Sequence, residues 1–236
     1  MKVAAIVPAA GKGRRIESKI DKLYIELCNK PILAHTLLRL SENRNIAEII
    51  VSVRSGKIKK FKHDILDRFD IKKIKIVSGG KERTDSVYSA LKRVSKDIDY
   101  ILIHDGIRPF LTDKLIDSSL RAASRFGASI VAVPVKPTLK YEREDGFIQR
   151  TPDRRKYWEA QTPQVFKREL IEKAYRIAKS KNIRATDDAM LVESMGVKPK
   201  IVMGEYSNIK ITTREDLELA RILMKRFKIT SNKGNT

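Results

Sequence analysis

Short apolar runs alternate along the chain with amphipathic stretches of helical spacing. In the helical stretches, apolar residues recur at intervals of three and four, as they do at Ile58, Phe61, Ile65 and Phe69. The apolar runs are rich in β-branched side chains, which is typical of strands buried on both faces. The pattern predicts strands at 3–7, 46–53, 74–77, 100–104, 128–135 and 200–204, and an extended piece at 208–213. It predicts helices at 31–40, 58–69, 86–94, 115–126, 167–180, 187–195 and 214–227.

Strands separated by helices of this length indicate βαβ units. Crossover helices cover the faces of a sheet and make its neighbouring strands parallel. We therefore expect an α/β fold with a mostly parallel sheet.

The alternation breaks after Val133. Residues 134–155 hold three prolines, Gly146 and many charged side chains, with only short apolar pairs between them. Structureless loops longer than about 15 residues are uncommon in compact domains. We therefore expect a projecting arm or hairpin here, with a long surface loop as the alternative.

The composition indicates a folded protein with a basic surface. Of the 236 residues, 42% are hydrophobic and 33% charged, and the net charge is +21. Such a charge fits either a polyanionic partner or a solvated surface rich in lysine and arginine. The cations are scattered, and aromatic residues make up only 6% of the chain. This argues against a nucleic-acid-binding module, which would stack bases on surface aromatics.

The sequence also excludes several other classes. A single cysteine, Cys28, rules out an internal disulfide and a multi-cysteine zinc site. No apolar run approaches the roughly 18 residues that a membrane span needs. The opening segment 1–11 resembles a strand and loop rather than a signal peptide. We expect a cytoplasmic protein with neither a membrane nor a nucleic-acid partner.

Three polar loops follow predicted strands, and ligands of open parallel sheets bind at the carboxyl ends of strands. The first loop is neither a Walker A loop nor a G-x-G-x-x-G turn, but its small residues let a backbone approach phosphates closely. Asp105, at the tip of the strand 100–104, is suited to hold Mg²⁺ against phosphates. A simple turn, a helix cap and a solvated cationic face are the alternatives. The loops are Pro8-Ala9-Ala10-Gly11-Lys12-Gly13-Arg14-Arg15, Ser78-Gly79-Gly80-Lys81-Glu82-Arg83-Thr84-Asp85-Ser86 and His104-Asp105-Gly106-Ile107-Arg108-Pro109.

These segments and others, in this order, resemble the 2-C-methyl-D-erythritol 4-phosphate cytidylyltransferases of the non-mevalonate isoprenoid pathway. The matching pieces span residues 3 to 220. They are Pro8-Ala9-Ala10-Gly11 through Arg15, Lys22 with Tyr24, Gly79-Gly80 with Arg83 and Ser86-Val87, His104-Asp105 with Arg108-Pro109-Phe110, Pro134-Val135 with Thr138 and Lys140, Asp153-Arg154 with Trp158, Gln161-Thr162-Pro163-Gln164 with Phe166, Thr186-Asp187, and Asn208-Ile209-Lys210 with Thr212 and Glu215-Asp216-Leu217.

The resemblance implies a Rossmann-like, mostly parallel twisted sheet flanked by helices, with a protruding β-arm that builds a homodimer. It implies one nucleotidyltransferase domain over residues 1–230, with the dimerisation arm at about 135–155 and a frayed tail at 231–236. The implied reaction joins CTP to 2-C-methyl-D-erythritol 4-phosphate, with Mg²⁺ as cofactor. Its products are 4-diphosphocytidyl-2-C-methyl-D-erythritol and pyrophosphate.

The resemblance also implies a set of site residues, in which the arm of one subunit completes the site of its partner. Because the attacking phosphate is already ionised, the site needs positioning and charge neutralisation rather than a strong general base. The implied catalytic cations are Arg15, Lys22, Arg154 and Lys210. The implied CTP contacts are Ala9, Ala10, Gly11, Gly13, Gly80, Ser86 and Asp105, and Asp105 is also the implied metal ligand. The implied contacts of the sugar-alcohol phosphate are Thr138, Arg154, Thr186 and Lys210.

The chain departs from the family pattern at three places. Asp21 replaces a usual proline, Gly106-Ile107 replaces a pair of alanines, and Pro137 replaces an aspartate. None of these changes removes a charge that the chemistry needs, which argues against an inactive relative. Ribitol 5-phosphate cytidylyltransferases share most of the motifs and are the nearest alternative. Sugar-1-phosphate nucleotidyltransferases are more distant.

Overall fold

The structure is a computed structural model that describes residues 1–11, 21–183 and 185–232. Its strands are β1 Val3–Ala9, β2 Glu26–Leu27, β3 Lys30–Pro31, β4 Ile46–Val53, β5 Ile74–Ser78, β6 Tyr100–Ile103, β7 Ala128–Pro134, β8 Tyr141–Glu142, β9 Ile148–Arg150, β10 Trp158–Lys167 and β11 Lys200–Met203. Its α-helices are α1 Ile32–Glu42, α2 Ile58–Phe61, α3 Arg83–Leu91, α4 Asp113–Phe126, α5 Arg168–Ser180, α6 Asp188–Glu193 and α7 Arg214–Asn232. Shorter helical turns lie at Lys22–Tyr24, Ser55–Lys57, Lys62–Leu66 and Arg154–Lys156.

A seven-stranded sheet forms the centre of the fold, in the order β11-β7-β10-β6-β1-β4-β5. β10 runs antiparallel to both of its neighbours, and the other adjacent pairs are parallel. In β1, Ile6 lies opposite Ile50 of β4 and Ile103 of β6. This sheet confirms the predicted Rossmann-like, mostly parallel α/β class.

Side chains of β1 point alternately into two hydrophobic cores. Val3, Ala5 and Val7 pack into the core that α1, α4 and α7 cover, and Ala4 and Ile6 pack into the core that α3, α5 and α6 cover. All five are fully buried. Because both faces of the sheet are covered, β1, β4 and β6 are mostly apolar along their length, which is the pattern that the sequence displays.

Most predicted elements are confirmed, with ends that differ by up to three residues except in the last helix. The predicted helix over 58–69 is wrong beyond Phe61, where a short π-helical turn follows. The extended piece predicted at 208–213 pairs with no strand of the sheet. It begins in a turn, where Asn208 N–H donates to the Glu205 carbonyl, and Ile211 N–H then donates to the Ile107 carbonyl. The last helix runs to Asn232, so it enters the segment predicted to fray.

The strand β10 has no counterpart among the predicted strands. Polar residues and a proline interrupt its centre, and proline removes a donor from a sheet ladder. The strand accommodates them with a shift in its pairing to β7 between Ala160 and Gln164 and with a cis peptide bond before Pro163. This irregular part of β10 brings polar side chains to the middle of the sheet.

The expected arm is present as an exposed hairpin. β8 pairs antiparallel with β9, and Tyr141 lies opposite Arg150. The turn contains Gly146 at a φ of +84°, a conformation that favours glycine. Phe147 is 70% exposed and Ile148 62% exposed. Both apolar side chains therefore lie at the surface of this chain.

Within the described ranges, no helix combines the length and the apolar character that crossing a lipid bilayer requires.

Candidate active site

A cleft opens at the carboxyl ends of β1, β5 and β6, with an internal volume of about 160 Å³. This is the edge at which open parallel sheets bind ligands. Backbone of small residues forms one part of its wall, and cationic side chains form another. The lining residues are Pro8, Ala9, Ala10, Gly11, Lys22, Leu23, Gly80, Lys81, Glu82, Arg83, Ser86, Asp105, Gly106, Ile107 and Lys210.

The loop after β1 is held by an arginine from the neighbouring strand. Arg54 follows β4, and its Nη2 donates to the Gly11 carbonyl at 3.1 Å. The same nitrogen lies 3.8 Å from Asp21 Oδ2, so Asp21, which replaces the family's usual proline, forms an ion pair here. Residues 12–20, which include Gly13 and Arg15, lie outside the described residues.

The loop after β5 packs directly against the first loop. A Cβ atom at Gly79 would lie 2.3 Å from Ala10 Cβ, so only glycine fits there. Gly80 N–H donates to Ser86 Oγ at 3.2 Å, and the Ser86 hydroxyl donates to the Glu82 carbonyl at 3.1 Å. The Ser86 hydroxyl therefore shapes the glycine loop as well as lining the cleft.

Asp105 lies at the centre of a cluster of cations. Lys210 Nζ is 2.9 Å from Asp105 Oδ2, Arg108 Nε is 3.5 Å from the same oxygen, and Arg83 Nε is 3.5 Å from Oδ1. Burial alone would raise the pKa of the Asp105 carboxyl, but the attraction of these three cations outweighs burial and holds its pKa well below the usual range. Asp105 is therefore ionised at neutral pH, and the cluster carries a net positive charge.

A chain of hydrogen bonds fixes the backbone of Asp105. Asp105 N–H donates to Thr162 Oγ1 at 3.1 Å, and Thr162 Oγ1 lies 3.0 Å from His104 Nδ1. His104 Nε2 lies 3.1 Å from the Arg108 carbonyl, which can only accept. Nε2 therefore carries the ring hydrogen, and Nδ1 accepts from the Thr162 hydroxyl. Burial lowers the pKa of His104 to about 4, so the ring is neutral.

Arg108 is buried in the floor of the same cluster. Its Nη1 donates to the Asn208 carbonyl at 2.8 Å, and its Nη2 donates to the Ala160 carbonyl at 3.4 Å. Asn208 Nδ2 in turn donates to the Thr162 carbonyl at 2.8 Å. Burial lowers the pKa of the Arg108 guanidinium despite the nearby Asp105. These contacts join the irregular centre of β10 to the turn that carries Lys210.

The cleft brings together eight of the residues expected in the site and leaves three outside. Arg154, Thr138 and Thr186 are exposed and do not line it. Arg154 instead donates to the Lys136 carbonyl, and Thr186 Oγ1 lies 3.8 Å from Met190 Sδ. The eight residues in the cleft are Ala9, Ala10, Gly11, Lys22, Gly80, Ser86, Asp105 and Lys210.

The expected site did not include several residues that shape the cluster. Arg83, Arg108, Thr162 and Asn208 all stand in the sequence segments that carry the resemblance, so motif membership was the available signal. Asp188 is different, because it lies at the start of α6, far from Arg83 in the sequence, and contacts it only in the folded chain. Only the three-dimensional structure reveals that contact.

The fold and the cleft define a class of protein. A glycine- and alanine-lined loop at the carboxyl edge of a parallel sheet, beside several cations and one ionised aspartate, suits the binding of nucleotide phosphates. Fixed cations stabilise charge that develops during phosphoryl transfer. The protein is thus a nucleotide-binding α/β enzyme of the nucleotidyltransferase type.

Comparisons with known proteins agree with this class. A sequence model of the family 2-C-methyl-D-erythritol 4-phosphate cytidylyltransferase matches residues 3–226. The family's protein from Clostridioides difficile strain 630 is 45% identical over 221 residues, which cover 94% of this chain and 93% of that protein. The protein of the same name from Caldanaerobacter subterraneus is 43% identical over 227 residues, covering 96% of this chain and 100% of that protein.

Solved structures give the same result. The crystal structure of 4-diphosphocytidyl-2C-methyl-D-erythritol synthase from Anaerococcus prevotii superposes with a TM-score of 0.84 at 34% identity, covering 95% of this chain and 96% of that chain. The structure of 2-C-methyl-D-erythritol 4-phosphate cytidylyltransferase from Thermus thermophilus superposes with a TM-score of 0.78 at 30% identity, covering 95% and 100%.

The chain belongs to the 2-C-methyl-D-erythritol 4-phosphate cytidylyltransferase family. It is a transferase of isoprenoid biosynthesis, and its substrates are CTP and 2-C-methyl-D-erythritol 4-phosphate. The acceptor phosphate attacks the α-phosphate of CTP and displaces pyrophosphate. The comparisons confirm the resemblance seen in the sequence and do not favour the ribitol 5-phosphate alternative.

Proposed function

We propose that this cytidyl transfer takes place in the cleft around Asp105, with Mg²⁺ as the cofactor. The observation that carries the proposal is the cluster in which Lys210, Arg83 and Arg108 surround Asp105 beside the small-residue loop. Two anionic substrates repel each other, and a preorganised group of cations offsets that repulsion.

In this proposal the two loops hold CTP. Backbone groups at Ala9, Ala10 and Gly11 contact its phosphates, and the loop at Gly80 and Ser86 contacts the nucleoside. Gly13 belongs to the same CTP-binding loop. Lys22 lines the cleft beside the first loop, where its ammonium neutralises charge on the α-phosphate in the transition state. Arg15 has the same catalytic role.

The acceptor phosphate occupies the side of the cleft at Lys210. The Lys210 side chain is 41% exposed, whereas the Asp105 side chain that it pairs with is only 9% exposed. The ammonium group is therefore open to the cleft and is held in place by a nearly buried carboxylate. Arg154, Thr138 and Thr186 complete the acceptor site. No general base is required, because the attacking phosphate oxygen is already ionised at neutral pH.

Family members generally depend on a divalent cation, and the residues present fit Mg²⁺ brought in with CTP. Mg²⁺ in such sites takes one or two carboxylates, with substrate phosphates and waters as its other ligands. Asp105 offers one carboxylate at the cleft. In the described part of the chain, no three acidic, histidine or cysteine side chains converge as a cage, which fits an ion held mainly by the triphosphate. When bound, the ion neutralises phosphate charge.

We also propose a homodimer in which each arm completes the site of the partner. Thr138 and Arg154 lie at the base of the exposed hairpin and outside the cleft of their own chain. An arm that reaches a second subunit would bring both residues to an acceptor site. Dimerisation would also cover the exposed side chains of Phe147 and Ile148. A cytoplasmic location stays a prediction.

The test is pyrophosphate release from CTP and Mg²⁺ with two acceptors measured side by side. We expect release with 2-C-methyl-D-erythritol 4-phosphate and at most slow release with ribitol 5-phosphate. Release with ribitol 5-phosphate alone would refute 2-C-methyl-D-erythritol 4-phosphate as the acceptor, but cytidyl transfer in this cleft would stand. Release with neither acceptor would overturn the assignment of the reaction to this cleft. Asp105→Asn serves as the matched inactive variant.

A further inference from the structure

A second carboxylate lies behind the cation cluster and takes no part in the steps proposed above. Asp188, at the start of α6, has a fully buried side chain. Arg83 Nη2 donates to its Oδ2 at 2.6 Å, and the hydroxyl of Tyr175 donates to its Oδ1. The backbone N–H of Asp188 donates to Gln164 Oε1 at 3.1 Å. A buried carboxylate held by several donors is a rigid anchor.

Two carboxylates therefore share one guanidinium group. Arg83 forms a short, charge-assisted hydrogen bond with Asp188 at 2.6 Å, whereas its Nε lies 3.5 Å from Asp105 Oδ1. The second distance is longer than a normal hydrogen bond. Arg83 therefore interacts mainly with Asp188, although Asp105 is close enough for a salt bridge.

Because Arg83 interacts mainly with Asp188, the two carboxylate oxygens of Asp105 differ in how closely cations approach them. Lys210 and Arg108 pair with Oδ2, at 2.9 Å and 3.5 Å. Arg83 pairs with Oδ1 only at the long distance of 3.5 Å. A hard divalent cation prefers carboxylate oxygens and must compete with any cation already paired there. Oδ1 is the oxygen where that competition is weaker.

We propose that Asp188 is a positioning residue: together with Tyr175 it holds Arg83 back from Asp105 and keeps Oδ1 of Asp105 available to the divalent cation that accompanies CTP. An unrestrained Arg83 would close on Asp105 as a bidentate pair, the geometry that arginine and carboxylate favour. The inference rests on the proposed function, which assigns that cation to Asp105.

The test measures metal binding without turnover. Mn²⁺ replaces Mg²⁺ because its paramagnetic resonance signal reports the free ion. It is titrated into the full-length protein saturated with a CTP analogue whose α–β bridging oxygen is a methylene group. Asp188→Asn keeps the shape of the side chain and removes its negative charge. We expect it to weaken Mn²⁺ binding by about tenfold, as is typical when a group supporting a metal ligand is changed. Binding of the metal-free analogue should not weaken.

Tyr88→Phe is the matched control. The Tyr88 ring stacks on the Tyr175 ring with centroids 6.3 Å apart, but Tyr88 is not a donor to Asp188. Its Mn²⁺ affinity should stay within about twofold of the wild type, because Tyr88→Phe keeps the stacked ring and removes none of the hydrogen bonds to Asp188.

The double variant Arg83→Gln/Asp188→Asn separates positioning from simple support of the fold. It removes the one guanidinium group that could close on Oδ1 of Asp105 and leaves Lys210 and Arg108 on Oδ2. The double variant should therefore recover Mn²⁺ affinity to within about threefold of the wild type. It also leaves no unpaired buried charge, so it carries the test if Asp188→Asn alone fails to fold. A purely structural role for Asp188 predicts that the double variant loses at least as much affinity as the single one.

Two results would overturn the inference: unchanged Mn²⁺ affinity in Asp188→Asn, or a loss that the double variant does not recover. Asp105→Asn distinguishes these from a failure of the proposed function. If Asp105→Asn leaves Mn²⁺ affinity unchanged, the assignment of the cation to Asp105 is wrong. If it loses the ion while Asp188→Asn does not, only the role of Asp188 is wrong.

Discussion

Lys210 and Asp105 form an ion pair of 2.9 Å across the cleft, between the turn before α7 and the end of β6. The turn is fixed to β6's following loop by Ile211 N–H, which donates to the Ile107 carbonyl at 3.0 Å. The ammonium group is therefore held in the cleft by a carboxylate on one side and by the backbone beneath it. Under the proposed function, its remaining hydrogens donate to the acceptor phosphate.

Removal of this ammonium group should affect the acceptor substrate most. We expect Lys210→Met to raise the KM for 2-C-methyl-D-erythritol 4-phosphate by about 10- to 100-fold, the effect of a lost charge-assisted hydrogen bond. The KM for CTP should change much less. Steady-state kinetics with each substrate varied in turn measures both, with Lys57→Met, an exposed lysine outside the cleft, as the control. An effect confined to CTP would contradict the placement of the acceptor.

Lys22 should act on the rate rather than on binding. If its ammonium stabilises charge that develops on the α-phosphate, Lys22→Ala lowers kcat by about 100-fold or more and changes the KM for CTP little. Arg15→Ala should behave in the same way. Single-turnover kinetics with saturating CTP measures the chemical step directly. An unchanged kcat in both variants would refute their catalytic roles.

Gly79 should tolerate no side chain, because a Cβ atom there would lie 2.3 Å from Ala10 Cβ and 2.9 Å from Ser86 Oγ. Gly79→Ala should push the two loops apart, with a loss of about 1–3 kcal/mol in stability and a raised KM for CTP. The control is Gly56→Ala, where a Cβ atom would meet nothing within 4 Å. Urea unfolding and CTP titration measure the two effects. Equal behaviour of both variants would contradict the tight packing of the loops.

The sequence predicted the sheet and most of the cleft, because both depend on local patterns. Mostly apolar runs such as Ile46–Val53 identify buried parallel strands, and the loops after them identify the ligand edge. The apolar pattern does not predict β10, because polar residues and Pro163 interrupt its centre, where Thr162 accepts from the backbone of Asp105. The pair of Arg83 and Asp188 joins residues 105 positions apart. No local pattern reports such a contact.

His104 should make the protein less stable in acid. Its ordinary pKa is 6.5, and burial lowers its pKa in the folded protein to about 4. Protons therefore bind the unfolded state first, so stability falls as the pH drops from 6.5 towards 4 and changes no further through this group below that range. The cost should reach about 2 kcal/mol between about pH 7.5 and pH 5. Urea unfolding of the wild type and of His104→Asn, whose side chain at 104 cannot titrate, isolates the contribution of His104 to the pH dependence of stability. Equal pH dependence in both proteins would contradict the assignment.

The arm should be exchanged between the two subunits of a homodimer. If arms are exchanged, the chain sediments at about 54 kDa, twice its 27.0 kDa mass, and deletion of residues 137–152 gives monomers. Arg154→Ala should mainly weaken acceptor binding. Arg154→Ala and Lys210→Ala chains are each assayed at an acceptor concentration too low for either variant alone to react. A mixture of the two should then regain activity on exchange of subunits. Each mixed dimer has one site with both residues intact, so an equal mixture should reach about a quarter of wild-type activity. A mixture that stays inactive would show that each chain supplies its own Arg154.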